Sequence, residues 1–416
     1  MTEAEVVVQI GGEDLLAGNL WPHRRRNRES ATFSYSPEYL ADGRAYELDP
    51  ALPLFGGAQQ TPAGRAMFGA FSDCAPDRWG RRLIQREERH RADREKTTER
   101  SFGEADYLLG VRDDLRQGAL RFRDPEHGVW LADEQDGVPD LLLLPELLAD
   151  AESAERDEAT EEQLRRLLRG GSSLGGARPK AHVVDGRGCI SIAKFPSPAD
   201  EWDVMRWEFV ALELARRAGV TVPDSSLHEI DGKAVLIVER FDREGPIRLG
   251  YVSAMTMLEA TDGDTGSYLD IAEAIETHSA DTAVELAQLW RRIALSVLIS
   301  NTDDHLRNHG FLRTSSAGWS LSPAFDLNPV PGGGPKYLST AIDYESDAAR
   351  LDLLLDVAEY FRLGGEEARQ ILAEVSTATS EWRAVAVAAG IGGAEVDRMA
   401  PAFEHDQAEA VAALVA

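Results

Sequence analysis

The sequence predicts an α+β fold in two lobes, with a small β-rich N-terminal domain and an all-helical C-terminal lobe. Apolar and polar residues alternate in short runs over residues 4–55, which is typical of a small antiparallel sheet. From Tyr251 onward the apolar spacing changes to that of helices. The 416-residue chain is long enough for two or three packed domains. The helices predicted in the C-terminal lobe cover residues 268–278, 281–300, 351–361, 365–377, 380–389 and 402–415.

Composition excludes several classes of protein. A net charge of -28 and a pI near 4.7 argue against this chain alone holding a nucleic-acid backbone or an anionic membrane, although DNA could be bound through a basic partner. Two cysteines, Cys74 and Cys189, cannot form a framework of several disulfides. The sequence contains neither a secretory signal pattern nor an apolar run of the roughly 20 residues that a membrane helix needs. We therefore expect a cytoplasmic protein.

The first half of the chain mixes helices and strands. Residues 81–100 carry dense mixed charge, and we interpret them as a solvated surface helix in preference to a partner-binding face. Residues 105–123 have strand or turn character, and residues 141–169 predict a pair of helices with an acidic middle. Asp, Glu, Gly and Pro cluster at residues 125–140, which indicates a boundary there. The predicted domains are 1–130 (β-rich with helices), 131–245 (an N-lobe with a glycine-rich loop) and 246–416 (the helical lobe).

A glycine-rich turn, GGSSLGGARPK, occupies residues 170–180. Glycines let backbone N–H groups approach phosphate oxygens closely, and Lys180 or Arg178 could add positive charge. The spacing is not that of a Walker A sequence, and such a turn could equally be an ordinary loop. By itself it is a weak signal for phosphate binding.

A lysine and a glutamate follow this turn on successive elements. Lys194 lies near the end of a strand predicted over residues 189–195, where a lone lysine is usually an edge-strand or snorkelling residue. Glu208 lies on a helix predicted over residues 203–218 and offers the lysine a countercharge, as in the lysine–glutamate pair of kinases. Two further strands turn around Asp231 and Gly232, a strong hairpin signal.

The segment LISNTDDHLRNHGF, residues 298–311, changes abruptly from an apolar helix end to a polar loop. Asp303 and Asn308 stand five positions apart, the spacing of the protein-kinase catalytic loop. Asp326 follows in PAFDLNP, in an apolar setting like that of the second magnesium ligand of kinases. The structural alternative is a hydrogen-bonded loop whose carboxylates cap the next turn.

Two other residues of the loop, His305 and Arg307, are interpreted as facing phosphate or ordering the loop. They do not predict a metal site, because no second His or Cys stands at ligand spacing. These features occur in the order of a bilobal protein-kinase-like fold. The order is a glycine-rich turn, a lysine on a strand, a glutamate on a helix, two strands, a D-x4-N loop and a later Asp. This joint order predicts a site for phosphoryl transfer.

The residues resemble those of a known family, the HipA-type serine/threonine kinases, which are toxins of bacterial type II toxin–antitoxin modules. The resemblance covers essentially the whole chain, including the GNLWPHRR and RQGALRF stretches of the β-rich domain. Its further matching stretches are SSLGGARPK (172–180), IAKFP (192–196), WEFVALELARRAGVTVPD (207–224), VERFDR (238–243), NTDDHLRN (301–308) and SPAFDLNP (322–329).

The resemblance implies roles for individual residues. Asp303 is the catalytic base, Asn308 and Asp326 hold magnesium, and the segment 239–241 is the hinge that meets adenine. Asp304 adjoins Asp303 and leaves the base open to misassignment, although the step to Asn308 selects Asp303. Arg307 stands where family members often have Lys. The residues implied to contact ATP are Ser173, Gly175, Gly176, Lys180, Lys194, Glu208, Glu239, Phe241 and His305.

The resemblance also implies regulation and partners. Ser173 matches the family's autophosphorylated serine, with Ser172 as the neighbouring alternative, and a phosphate there would add roughly -1.5 to -2 charge to the loop. We expect that modification to eject the loop and switch the kinase off. The implied protein is an ATP- and Mg2+-dependent serine/threonine kinase toxin. Its substrate would be a protein such as an aminoacyl-tRNA synthetase, and a small helix-turn-helix antitoxin (HipB-like) would make the DNA contacts. The alternatives are a small-molecule kinase on the same fold and a non-catalytic nucleotide-binding co-repressor.

Overall fold

The N-terminal unit is built on a five-stranded antiparallel sheet. The structure, a computed structural model, describes residues 3–26, 28–132, 137–171 and 176–415. The strand order in the sheet is β4-β3-β2-β1-β5. The last strand of the unit, β5, therefore pairs with the first, β1. The antiparallel sheet predicted for residues 4–55 is thus confirmed. Its strands are β1 (Ala4–Ile10), β2 (Glu13–Arg25), β3 (Arg28–Tyr35), β4 (Gln59–Gln60) and β5 (Leu120–Arg123).

Four helices complete this unit, and one of them closes the apolar face of the sheet. Phe71 makes edge-to-face contacts with Phe33, Phe68 and Phe122 at centroid distances of 5.6, 5.8 and 5.8 Å. The helix predicted over 81–100 is confirmed, but it begins at Arg78 and ends at Glu95. Asp77 caps its first turn. The helices are α1 (Pro37–Ala41), α2 (Gly69–Asp73), α3 (Arg78–Glu95) and α4 (Glu104–Leu109).

The middle of the chain combines a helix pair with a four-stranded sheet. The helix pair predicted over 141–169 is confirmed, and so is the hairpin at Asp231–Gly232, where both residues have positive φ. The sheet order is β6-β7-β9-β8, and every neighbouring pair is antiparallel. The elements are α5 (Leu144–Glu155), α6 (Glu161–Arg169), β6 (Lys180–Val184), β7 (Ile190–Lys194), α7 (Val204–Arg217), β8 (Ser225–Ile230) and β9 (Lys233–Glu239).

The C-terminal part is mainly helical, and the second half of the helix Thr282–Leu298 is almost fully buried. Trp290 of this helix donates its indole N–H to the carbonyl of Leu354, 3.1 Å away. In the described ranges, no helix is both long and apolar enough to cross a membrane. The helices are α8 (Ala254–Met257), α9 (Tyr268–His278), α10 (Thr282–Leu298), α11 (Leu351–Asp356), α12 (Gly365–Ser380), α13 (Trp382–Ala388), α14 (Gly393–Phe403) and α15 (Asp406–Val415), with 3-10 turns at Leu141–Leu143, Leu306–Asn308 and Ala358–Phe361.

The expectation of an all-helical C-terminal lobe is wrong in one respect, because this part also contains short strands. A three-stranded sheet has the order β12-β14-β15, and its first two strands pair across about 60 residues of sequence. Strands of four to six residues with non-local partners leave little periodicity for sequence analysis to detect. The strands are β10 (Arg243–Glu244), β11 (Ile247–Arg248), β12 (Gly250–Ser253), β13 (Gly266–Ser267), β14 (Gly310–Ser315), β15 (Gly318–Leu321) and β16 (Thr340–Ala341).

Two local expectations also need correction. Residues 105–123 were expected to be strand or turn, but they begin within α4 and only their end forms β5. The helix expected over 402–415 is two helices, α14 and α15, separated at Glu404–His405. Tertiary packing against neighbouring elements decides both cases, and such packing overrides local propensity.

The aromatic core of the N-terminal unit yields a stability prediction. Replacing Phe71 by Ala should lower the free energy of unfolding by about 3–5 kcal/mol, because the side chain is fully buried among other rings. Phe55, which is 52% exposed, serves as the control, and its replacement by Ala should change stability by less than about 0.5 kcal/mol. Urea denaturation followed by circular dichroism measures both, and equal losses for the two variants would contradict the packing described.

Candidate active site

Lys194 joins three parts of the chain through two ion pairs, of which the one with Glu208 is buried. It ends β7, and its Nζ lies 2.5 Å from Oε1 of Glu208 on α7 and 2.8 Å from Oδ1 of Asp326. Glu208 is 2% exposed and Lys194 is mostly buried. Charges inside a protein are tolerated only when they are paired, so each partner depends on the other two. The lysine–glutamate pair predicted from sequence is therefore present, and Asp326 joins it.

The pKa shifts in this cluster follow from its charges. Burial disfavours the cation of Lys194, but Asp326 and Glu208 outweigh that effect and raise its pKa above the ordinary value. Burial also opposes ionisation of Asp326, yet Lys194 lowers its pKa to about 2. Burial raises the pKa of Glu208, which Lys194 opposes. Lys194 and Asp326 therefore form a charged pair at neutral pH.

Asp304, which follows Asp303 in the chain, is a structural residue. It is buried, and its Oδ2 accepts hydrogen bonds from Tyr268 Oη at 2.5 Å and Ser296 Oγ at 3.1 Å. Nε2 of His309 lies 3.1 Å from its Oδ1. Burial opposes ionisation, but these partners lower the pKa of Asp304 below its usual value. Both carboxylate oxygens are thus engaged on the inner side of the loop.

Asp303, by contrast, is exposed at the turn that follows α10. Its backbone carbonyl accepts a hydrogen bond of 3.0 Å from Nδ2 of Asn308, so the two residues of the D-x4-N spacing fix one compact loop. Partial desolvation raises the pKa of Asp303, His305 opposes that shift, and the negative charge of Asp326 adds to it. The carboxylate of Asp303 is open to a substrate.

The segment that carries Asp326 is attached to the same loop. The backbone N–H of Asn328 donates to Oδ1 of Asn301 over 3.2 Å. Asp326 itself has a φ of 59°, in the left-handed region that few residues other than Gly, Asn and Asp adopt. A residue held in such a conformation costs free energy, and such residues cluster at functional sites.

The structure describes only some of the residues predicted to contact phosphate in the glycine-rich turn. Ser172, Ser173 and Gly175 lie outside the described residues. Gly176 has a φ of 117°, and a Cβ built there would lie 3.0 Å from Nζ of Lys180. Lys180 itself forms a buried ion pair of 2.8 Å with Asp77, the residue that caps α3. Lys180 thus lies beside the turn but is held by the N-terminal unit.

The remaining predicted residues surround the lysine cluster. Glu239 ends β9, and Phe241 contacts Phe325, the neighbour of Asp326, at a centroid distance of 5.4 Å. His305 lies in the same loop as Asp303. Within the described residues, its Nδ1 atom is buried and has no hydrogen-bond partner.

Sequence reasoning missed several residues that organise the site. Asp77 was not considered, although a D-x-x-G helix start was visible; its ion-pair partner Lys180 lies 103 positions away. Tyr268 and Ser296, which hold Asp304, lie on two different helices. No local pattern marks such partners, since only the tertiary fold brings them together.

The oxygen donors available here fit magnesium. Among the residues that the structure describes, no group of three or more His, Cys, Asp or Glu side chains could hold a metal. Magnesium is instead commonly held by one or two carboxylates together with substrate phosphates and water. Asp326 supplies a carboxylate, and Asn308, whose Nδ2 is bound to the loop, has its amide oxygen left as a ligand.

Comparison with known proteins gives consistent results. The HipA N-terminal domain family matches residues 9–100, and the HipA-like C-terminal domain family matches residues 172–382. A putative kinase, Y4dM of Sinorhizobium fredii, is 31% identical over 161 residues, which are 35% of this chain and 38% of that protein. A putative kinase of Haemophilus influenzae is 25% identical over 154 residues, 33% of this chain and 45% of that protein. The matches therefore span less than half the length of these relatives.

A solved structure shares the fold over nearly the whole chain. It is HipA of the Shewanella oneidensis MR-1 toxin–antitoxin system, in complex with HipB and its operator DNA. The TM-score is 0.66 at 17% sequence identity, with 98% of this chain and 96% of that chain covered. The bilobal protein-kinase-like fold class predicted from the sequence is confirmed.

The anchoring of Asp304 can be tested by removing one hydroxyl group. Replacing Tyr268 by Phe should lower the free energy of unfolding by about 1–3 kcal/mol, because a buried carboxylate then loses a hydrogen-bond donor. Tyr360, which is 64% exposed, provides the same chemical change at the surface. Thermal and urea unfolding measure both, and an unchanged stability of the Tyr268→Phe variant would show that the bond is not needed.

Proposed function

The chain belongs to the HipA family, and on that premise we propose that it is an ATP- and magnesium-dependent protein serine/threonine kinase, the toxin of a toxin–antitoxin module. The observation that carries this proposal is the bridge from Lys194 to Glu208 and Asp326, with the exposed Asp303 on a loop that is hydrogen-bonded to the segment of Asp326. In this proposal, Lys194 is the cation that binds phosphate and Glu208 supports it. Asp326 is a metal ligand, and Asp303 is the base. Phosphoryl transfer requires chiefly that such groups be positioned.

Lys194 would bind the α- and β-phosphates of ATP, with Glu208 fixing its ammonium group. Glu208 suits that role because it is buried on α7 and close to Lys194. Asp326 and Asn308 would hold magnesium, which offsets the charge of the transferring phosphoryl group. Binding of nucleotide then replaces the contact of Lys194 with Asp326 by contacts with phosphate oxygens.

Asp303 would orient the substrate hydroxyl and accept its proton. The carboxylate is exposed, whereas that of Asp304 is fully engaged inside the loop, which supports Asp303 as the base. His305, whose Nδ1 is buried without a hydrogen-bond partner among the described residues, would contact a phosphate oxygen or the substrate only after the loop adjusts to a bound nucleotide.

The adenine would lie beside the segment 239–241, where Phe241 contacts Phe325 and Tyr251. We also propose autophosphorylation of Ser173, with Ser172 as the alternative, and Gly175, Gly176 and Lys180 as phosphate contacts. The protein substrate would be acted on in the cytoplasm. A HipB-like helix-turn-helix antitoxin would supply the DNA contacts, which agrees with the net charge of -28 on this chain.

The role of Asp303 predicts the loss of chemistry without the loss of nucleotide binding. Replacing Asp303 by Ala should reduce phosphoryl transfer from ATP at least about 100-fold, because the proton of the hydroxyl loses its acceptor. The affinity for ATP should stay within a few-fold, since Lys194 and Glu208 are unchanged. Radiolabel transfer from γ-labelled ATP to protein measures the rate, and fluorescence titration measures the affinity.

Asp397 gives a matched control for this experiment, because it is an aspartate that is 82% exposed on α14. The Asp397→Ala variant should transfer phosphate at the wild-type rate. A wild-type rate in the Asp303→Ala variant would refute the assignment of the base. Transfer only to small molecules, and not to protein, would instead favour a small-molecule kinase.

The proposed metal ligand predicts a change in magnesium dependence. Chelation by EDTA should remove most of the ATP affinity of the wild-type protein, since the ion neutralises the phosphates beside a carboxylate. The Asp326→Asn variant keeps the shape of the side chain, and its affinity for ATP should respond only weakly to magnesium. Titration calorimetry with a non-hydrolysable ATP analogue, at several magnesium concentrations, measures this response. An equal response in the wild type and the variant would count against Asp326 as a ligand.

A further inference from the structure

Arg307, a residue of the loop that carries Asp303 and Asn308, lies between two carboxylates. Its Nη2 is 2.9 Å from Oδ1 of Asp262, a side chain that is 81% exposed. Its Nη1 is 3.7 Å from Oδ1 of Asp73, a side chain that is only 4% exposed. The pair with Asp262 has the shorter distance, but water and salt screen it, and such surface pairs contribute little. The carboxylate of Asp73 is buried and much less screened, and although burial raises its pKa, Arg307 and the hydrogen bonds of Ser253 oppose that shift.

Asp73 belongs to the N-terminal unit, at the end of α2, and it also holds the other side of the loop. Its Oδ2 accepts a hydrogen bond of 2.7 Å from the backbone N–H of Ser253, and its Oδ1 accepts one of 2.9 Å from Ser253 Oγ. The next residue, Ala254, donates its N–H to the carbonyl of His309 over 2.7 Å. Asp73 is therefore connected directly to Arg307, which precedes Asn308. It is also connected, through Ser253 and Ala254, to His309, which follows Asn308.

The helix that carries Asp73 is itself fixed in place. Asp49 accepts hydrogen bonds from the N–H of Ala70 at 2.6 Å and from the N–H of Ala51 at 2.7 Å. Gly69, at the start of α2, approaches α8 so closely that a Cβ there would lie 2.7 Å from Thr256 Oγ1. Close packing of this kind leaves α2 little freedom to shift. A carboxylate on α2 can therefore act as a rigid anchor.

We infer that Asp73 is a positioning residue, through which the β-rich N-terminal unit holds the Asp303–Asn308 loop in its active geometry. This inference rests on the proposed kinase function. Asp73 touches neither nucleotide nor substrate in this account, and it acts through Arg307 and Ser253. Phosphoryl transfer depends on alignment within a fraction of an ångström, so a small shift of the loop lowers the rate while leaving the nucleotide site unchanged.

The test compares kinetic constants of full-length variants. Asp73→Asn keeps the side-chain shape and an oxygen that can accept from Ser253, but it removes the charge that faces Arg307. We expect kcat for phosphoryl transfer to fall about ten-fold, with KM for ATP unchanged, because alignment and not nucleotide binding is disturbed. Asp262→Asn, the exposed partner, should change kcat less than about two-fold. A wild-type kcat for Asp73→Asn would overturn the inference.

A double-mutant cycle separates positioning from general destabilisation. In an Arg307→Gln background, Asp73→Asn should lower kcat no further, because the interaction is already absent. An equal fall in both backgrounds would overturn coupling through Arg307. Arg307→Gln, at a partly exposed site, also tests the inference if Asp73→Asn does not fold, since an unchanged kcat there would refute it.

A matched control and a second readout complete the experiment. Asp150 is a buried carboxylate on α5, paired with Arg166 at 2.6 Å, so Asp150→Asn should reduce stability without changing kcat. Hydrogen exchange of residues 301–310 should be faster in Asp73→Asn than in Asp150→Asn. If the wild-type protein transfers no phosphate, the proposed function fails, while faster exchange of this loop still supports the anchor. Unchanged exchange in Asp73→Asn would refute the anchor independently of activity.

Discussion

A buried lysine cation between two carboxylates is the interaction on which the arrangement of this protein depends. Lys194 comes from a strand, Glu208 from the helix that follows it, and Asp326 from a segment 132 positions later. Lys194 and Glu208 are buried, so neither charge would be stable inside the protein without a partner, whereas Asp326 is partly exposed. The cluster therefore fixes the four-stranded sheet relative to the helical part, and it determines where a nucleotide could lie. Apolar packing forms each part, but this charge cluster sets the relative position of the parts that form the site.

Buried charge also joins the N-terminal unit to the rest of the chain. The side chain of Arg240, fully buried after β9, donates to the carbonyls of Leu115 and Arg116, and Asp242 accepts from the N–H of Gly118 at 2.7 Å. These contacts cross the predicted division at residues 130 and 131, which stays a prediction. Asp77 and Asp73 make two further connections, to Lys180 and to Arg307. The β-rich unit thus reaches the predicted hinge, Lys180 at the end of the glycine-rich turn and the Asp303–Asn308 loop.

The sequence predicted those parts of the molecule whose signals are local. Alternating runs marked the first sheet, Asp231–Gly232 marked a hairpin, and D-x4-N marked the loop of Asp303. Partners separated by many residues escaped detection, because pairs such as Lys180 with Asp77, or Asp304 with Tyr268, exist only after folding. The strand pairing of β12 with β14 was missed for the same reason. The proposed choice of Asp303 over Asp304 rested on spacing alone; the structure adds that Asp304 is buried and Asp303 exposed.

The left-handed backbone at Asp326 restricts what evolution can place there. Glycine, asparagine and aspartate occupy that conformation at the lowest cost, so most other substitutions would strain the chain as well as remove the carboxylate. If the proposed metal-ligand role of Asp326 holds, a relative that has lost catalysis but kept this architecture should carry asparagine or glycine at this point.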